Sequence, residues 1–256
     1  MPADTAPSPS KPAALVTGGA VRLGRALALS LAQRGYDVMI HYNSSVAQRD
    51  DTLQELAACG VDSHALQADL SDVAAIPELL RRAKQAMPHL GVLINSASAY
   101  QHASIMQTDA ALFDQQFAVN LRAPFFLTQA FARTCGQGCV INILDNKINY
   151  NQFEYAAYLL AKKSLAEFTK MAAMELAPAL RVNGVAPGVV LPAETRSEAY
   201  VKWRIEGIPL KRQGETDHIA QAMHYLLENP FVTGQALVVD GGESIQHIGR
   251  HFRNYE

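Results

Sequence analysis

Three side chains in the second half of the chain have types and spacing suited to moving a proton. They are Asp145 in "INILDNKINY", and Tyr158 and Lys162 in "YLLAK". A tyrosine and a lysine four residues apart share one face of a helix. An ammonium there favours the phenolate and draws the tyrosine pKa toward working pH, which suits a general acid or base. Tyr155 stands one turn earlier, but the residue four beyond it is Leu159, so Tyr158 is the one with the lysine. Lys163 faces elsewhere on the helix. Asp145 is the odd member of the set. A carbonyl under reduction gathers negative charge on oxygen, and a carboxylate opposes that charge strongly at low dielectric. A C=N bond gathers charge on nitrogen instead. There a carboxylate can orient a protonated tyrosine, relay a proton, or accept bonds from amino and ring N–H groups.

These residues need a frame, and the hydrophobic pattern supplies one. "AALVTG", "YDVMIHY", "SHALQADL", "LGVLINSAS", "GCVINIL", "LRVNGVAPG" and "QALVVDGG" read as seven short strands. Helical spacing separates them, most plainly in "RLGRALALSLAQRG", "VAQRDDTLQELAACG", "VAAIPELLRRAKQAM" and "TDHIAQAMHYLLENP". Two long helical segments, "DAALFDQQFAVNLRAPFFLTQAFART" and "EYAAYLLAKKSLAEFTKMAAMELA", flank the fifth strand. Strands alternating with helices give right-handed crossovers and a parallel sheet covered on both faces. The expected fold is one doubly wound α/β domain over residues 13–245. A Pro/Ser/Ala-rich tail precedes it over residues 1–12, and an extension follows over residues 246–256. Ile245 at its border and Ile248, Phe252 and Tyr255 within it form an apolar stripe suited to a neighbouring subunit.

The turn "TGGAVRLG", Thr17 to Gly24, joins the first strand to the first helix. Glycines there let the backbone approach a pyrophosphate, and the helix N-terminus adds N–H groups and a positive dipole. Thr17, Gly18, Arg22, Leu23 and Gly24 are therefore expected at a dinucleotide. An NAD site places an acid at the end of the second strand to hold the ribose 2′-hydroxyl. Here "IHYNSS" has none, while Tyr42, Asn43, Ser44 and Ser45 accommodate a 2′-phosphate. NADP(H) is the expected cofactor.

The totals exclude several other classes. A formal net charge of −2 over 256 residues leaves no basic footprint for nucleic acid or a membrane surface. No apolar run reaches the roughly 18 residues of a membrane span. Three cysteines do not build a secreted disulfide framework, and Cys135 and Cys139 lack two further ligands for a metal. His247 and His251 are only two ligands on a tail. A cytoplasmic protein without a metal is expected.

Over nearly its whole length the chain resembles the short-chain dehydrogenase/reductase family. The resemblance is carried by "TGGAVRLG", "ADL" with Asp69, "NSAS" from Asn95, "VN" with Asn120, "YLLAK", and "VAPG" with Pro187 and Gly188. It implies a Rossmann-like fold, Asp69 and Leu70 at the adenine, Asn95 at the cofactor ribose and Pro187–Gly188 near the nicotinamide. It also implies Asn120, Tyr158 and Lys162 as catalytic, with Lys162 on the nicotinamide ribose, and a homotetramer. Three departures stand out. Arg22 holds a position that is glycine in the usual TGxxxGxG turn, Asp145 stands at the usual catalytic serine, and Tyr100 follows "NSAS".

Together the departures are similar to the pteridine reductases and dihydromonapterin reductases within the family. By position they imply Arg22 at both pyrophosphate and pterin, Tyr100 stacked on the pterin ring, and Ser98 touching cofactor and substrate. The expected function is NADPH-dependent reduction of a dihydropterin, with Asp145 and Tyr158 also contacting substrate. The alternatives are a carbonyl reductase acting on a 3-oxoacyl or sugar-like ketone, and a non-catalytic NADP-binding sensor. The intact Tyr158–Lys162 pair speaks against the sensor.

Overall fold

The structure is a computed structural model and describes residues 12–192, 196–245 and 250. Seven parallel strands form one sheet: β1 (Ala13–Thr17), β2 (Asp37–Tyr42), β3 (Ser63–Gln67), β4 (Leu90–Asn95), β5 (Gly138–Ile143), β6 (Leu180–Pro187) and β7 (Ala236–Val239). Their order across the sheet is β3-β2-β1-β4-β5-β6-β7. The helices are α1 (Arg22–Gln33), α2 (Val46–Ala58), α3 (Ala75–Ala86), α4 (Ala110–Phe117), α5 (Ala123–Cys135), α6 (Ala156–Leu176), α7 (Glu198–Glu206) and α8 (Thr216–Glu228).

Both faces of the sheet are covered, which explains why its central strands read as unbroken apolar runs rather than alternating ones. One core packs Leu15, Met39, Leu93, Val140 and Val182 against α3 and α5 through Leu80 and Phe131. The other packs Val16, Ile40, Ile94, Ile141 and Val185 against α1 and α8 through Leu27, Leu31 and Met223. The strand order reverses between β1 and β4, so the crevice outside their carboxyl ends is where a doubly wound sheet binds ligands.

Two elements differ from the sequence expectation. The long helical run before β5 is not one helix: α4 and α5 are joined by a π-helical segment, Ala118–Arg122, which contains Asn120. Such a segment carries an extra residue per turn and re-aims its side chains. The second is α7, absent from the expected elements because its sequence, "EAYVKWRIE", has no apolar stripe; the residue it buries is Arg204. The proposed tail lies outside the described residues up to Lys11. So do Ile248, Phe252, Tyr255, His247 and His251, while Ile245 is exposed.

Candidate active site

The carboxyl ends of the strands open onto a cavity of about 870 Å³. Gly18, Arg22, Leu23, Gly24, Tyr42, Asn43, Ser44, Ser45, Asp69 and Leu70 line one end of it. Ser98, Tyr100, Asp145, Tyr158, Lys162, Pro187 and Gly188 line the other. Three expected site residues, Thr17, Asn95 and Asn120, are not among its lining residues, and each has a different employment.

At the first end the backbone sets the shape. Gly18 sits at φ +64°, a conformation glycine adopts at little cost. A Cβ on Gly24 would stand 2.2 Å from the Gly18 carbonyl oxygen, so the turn and α1 pack as closely as backbone allows. Thr17 Oγ1 accepts from the N–H groups of Ser96 and Ala97 at 3.0 and 3.1 Å, pinning the turn to the end of β4. His41 does the same from the other side, with Nδ1 accepting from Gly18 N at 3.3 Å and Nε2 donating to Ala68 O at 3.0 Å. Burial pulls the His41 pKa down, which keeps the ring neutral for this pair of bonds. Sequence reasoning passed over His41 because a histidine inside a strand carries no signal of what it holds. The carboxylate of Asp69 accepts from Ser71 N and Oγ at 2.9 and 2.7 Å, and these bonds hold it below the usual carboxylate range.

Asn95, expected at the cofactor ribose, braces the sheet. Its side chain is buried and Nδ2 donates to Asn142 Oδ1 at 2.8 Å; Asn142 in turn donates to Thr169 Oγ1 at 2.9 Å. Asn120, expected among the catalytic residues, is also tied into the protein. The π-helical segment turns its side chain inward, where Nδ2 donates to Ala99 O at 2.8 Å and Oδ1 accepts from Ser98 Oγ at 2.7 Å. It holds the Ser98–Tyr100 wall of the cavity and does not itself face the cavity.

Arg22, expected at the pyrophosphate and the pterin, lines the cavity. Its guanidinium reaches across the cavity to the segment after β6, donating to Leu191 O at 2.7 Å and Pro192 O at 3.4 Å. Both bonds come from one terminal nitrogen of the guanidinium, so Arg22 spans the two lips. Its own backbone keeps φ at +49°, a glycine-like value.

The second end is built from side chains. Tyr158 donates its hydroxyl to Asp145 Oδ2 at 2.9 Å. Asp145 caps a single 3₁₀ turn, Asn146–Ile148, and its Oδ1 accepts from Lys147 N at 2.9 Å and Nζ at 3.3 Å. Lys147 therefore stands on the opposite side of the carboxylate from Tyr158, and sequence reasoning missed it. The signal was present as a cation two residues past an acid at a strand end. Lys162 donates to Ile143 O at 2.7 Å and is buried; desolvation lowers its pKa to about 8, with the Asp145 charge acting in the other direction.

The expectation that Lys162 lowers the Tyr158 pKa does not hold in this arrangement. Burial, then the Asp145 charge and hydrogen bond, push the Tyr158 hydroxyl well above its ordinary value. The ammonium lies 5.9 Å from the ring centroid, while the carboxylate touches the hydroxyl itself. Tyr158 is thus held protonated, poised to give a proton rather than to take one.

Tyr100 meets Tyr158 edge-on, with ring centroids 4.8 Å apart, and stacks on Tyr155 at 4.6 Å and an interplanar angle of 11°. The Tyr155 hydroxyl accepts from Arg196 at 3.1 Å, and a His102–Glu154 contact of 2.8 Å fastens the same two segments. One face of Tyr100 is therefore already occupied by a protein ring.

Known proteins share this fold and much of this sequence. A family model described as enoyl-(acyl carrier protein) reductase matches residues 19–244. An uncharacterized oxidoreductase of Mycobacterium tuberculosis is 33% identical over 245 residues, covering 92% of this chain and 93% of its own. The 3-oxoacyl-[acyl-carrier-protein] reductase FabG of Staphylococcus epidermidis is 31% identical over 237 residues, covering 90% and 97%. Among solved structures, FolM alternative dihydrofolate reductase 1 from Brucella suis, in complex with NADP, superposes with a TM-score of 0.87 at 32% identity, covering 92% of this chain and 96% of that one. Its counterpart from Brucella canis, also complexed with NADP, gives 0.85 at 31%, covering 96% and 98%. The chain belongs to the short-chain dehydrogenase/reductase family of oxidoreductases.

Proposed function

We propose that the protein is an NADPH-dependent reductase of pterins, converting a dihydropterin to a tetrahydropterin by reduction of a C=N bond. The residues present fit the cofactor. The first N–H groups of α1 receive no side-chain cap, and Arg22 and Leu23 of that first turn line the cavity. The Ser45 hydroxyl does not cap α2, and Tyr42, Asn43 and Ser44 stand with it where a 2′-phosphate would lie. When bound, the reduced nicotinamide supplies the hydride. The two similar FolM structures carry NADP, which supports the same assignment.

The observation that carries the substrate class is the 2.9 Å bond from Tyr158 to Asp145. Tyr158 donates the proton, Asp145 orients its hydroxyl, and Lys147 balances the carboxylate from the far side. An oxyanion forming beside Tyr158 would meet the Asp145 charge, whereas a ring nitrogen would meet a proton and an acceptor for its amino neighbours. Tyr100 gives a flat ring an aromatic edge of the cavity to lie against. The rival reading, reduction of a 3-oxoacyl carbonyl, is favoured by the FabG relatives but leaves Asp145 opposing the chemistry. A homotetramer in the cytoplasm belongs to the proposed reading. Assay of NADPH oxidation with 7,8-dihydropterins against a panel of ketones tests it. Turnover of dihydropterins, falling by about 10²-fold or more in Asp145→Ser, is expected. Turnover of ketones alone, or an undiminished Asp145→Ser, would overturn it.

A further inference from the structure

Asn146 follows Asp145, but its side chain turns away from the cavity into the protein, where it is 0% exposed. Its Nδ2 donates to Glu243 Oε2 at 3.0 Å and to Asp240 Oδ2 at 3.2 Å. Glu243 is 2% exposed and pairs through its other oxygen with Arg204 of α7 at 2.5 Å. Arg204 also donates to the carbonyl oxygen of Arg250 at 2.6 Å. Asp240 is fixed in turn by the N–H groups of Gly242 and Ser244, at 2.9 and 2.7 Å. The Tyr150 hydroxyl faces Asn146 Oδ1 at 3.5 Å. The Asn146 amide therefore joins the turn after β5 to the turn after β7, and Glu243 joins both to α7.

A buried carboxylate that loses a donor is left uncompensated, which is strongly unfavourable. Asn146 is thereby confined to a single place. Asp145 and Asn146 share a peptide plane, so fixing the second side chain fixes the Cα from which the first projects. The Tyr158–Asp145 bond has little tolerance, because a hydrogen bond weakens over a few tenths of an ångström and a few tens of degrees.

We infer that Asn146 is a positioning residue, anchored by the buried Glu243–Arg204 pair, which sets the Asp145 carboxylate against Tyr158. The inference rests on the reading that Asp145 and Tyr158 deliver the proton. It adds that their alignment is held from behind the cavity wall, by α7 and the turn after β7.

A double-mutant cycle on the full-length protein tests it. Asn146→Ala is expected to lower kcat about tenfold or more while KM for NADPH stays within about twofold, since small misplacements of reacting groups weaken catalysis by up to about 10²-fold. In an Asp145→Ser background the same change is expected to cost almost nothing further, because the carboxylate being positioned is gone. A residue that merely supports the fold gives the same factor in both backgrounds, and that result overturns the inference. So does a loss below about threefold in the parent background. Should Asn146→Ala fail to fold, Glu243→Gln keeps the shape and one acceptor. It is expected to show a smaller loss with the same non-additivity, and additive losses again overturn the inference. Wild-type protein is assayed first on 7,8-dihydropterins and on 3-oxo substrates, and the cycle is run on whichever is reduced. Absence of dihydropterin turnover then counts against the pterin assignment, while the cycle alone decides the anchor.

Discussion

The segment after β1 and the segment after β5 both end strands at the same cavity, yet they are made in opposite ways. After β1 the shape is set by backbone: Gly18 in a left-handed conformation, Gly24 against a carbonyl, and N–H groups pinned by Thr17 and His41. After β5 it is set by side chains drawn from several elements: Tyr158 and Lys162 from α6, Lys147 from its own turn, Arg204 from α7 and Glu243 from beyond β7. A backbone device must be written locally, as glycines at fixed spacing. A side-chain device can be assembled from residues that share no local pattern at all. The first is legible, and at Gly24 it leaves no room for a Cβ. The second is scattered, and it tolerates change in proportion to how buried its charges are.

The sharpest way to break the side-chain region is Tyr158→Phe, which removes the proton donor while leaving the ring packed. A fall in kcat of about 10³-fold is expected in steady-state assays, with NADPH affinity retained. Lys162→Met probes the same region through stability. Between pH 8 and 10.5 the folded chain, with Lys162 lowered to about 8, binds fewer protons than the unfolded one. The burial penalty is therefore present in full below pH 8 and is relieved as pH rises toward 10.5. Urea unfolding is expected to show Lys162→Met more stable than the parent by up to about 3 kcal/mol at pH 7, with the gap closing toward pH 10. A gap that does not change with pH would mean that the lysine is not buried as a cation.

Gly24→Ala addresses the backbone region. Its Cβ would meet the Gly18 oxygen, so overpacking of about 1–3 kcal/mol is expected to weaken NADPH binding by up to about 10²-fold, read by fluorescence titration. The chemical step measured in single turnover at saturating cofactor is expected to survive, which would separate the two regions cleanly. Asn43→Asp should have the smallest effect, a shift of about tenfold in kcat/KM from NADPH toward NADH, as a carboxylate there repels a 2′-phosphate. Unchanged preference would move the phosphate site away from that turn.

The same contrast explains what could be read without coordinates. The sheet and most helices follow from period and from glycine punctuation, and the turn after β1 from its glycines. Asp145, Tyr158 and Lys162 were legible as a set because their types are chemically costly to place together by accident. Thr17, Asn95 and Asn120 were legible as important residues but not in their employment. A motif says that a polar group is required, and not whether it serves a ligand or another amide. The π-helical segment around Asn120 was invisible, because one extra residue in a turn leaves composition and rough periodicity unchanged. α7 was invisible because it buries an arginine where a periodic pattern needs an apolar residue. Its reason for being there is Glu243, more than thirty residues away in sequence.

Arg22 keeps a glycine's backbone, at φ +49°, and sends its side chain across to Leu191 and Pro192. An L-residue in that conformation gives up about 1 kcal/mol relative to glycine. The backbone shapes the turn while the side chain bridges the lips. For a protein engineer, residue 22 is accordingly a socket. Glycine, glutamine or lysine can be placed there to change what bridges the two lips, while the cofactor turn beneath stays as it is. Arg22→Gly in particular would produce an open-mouthed enzyme that melts no lower than its parent.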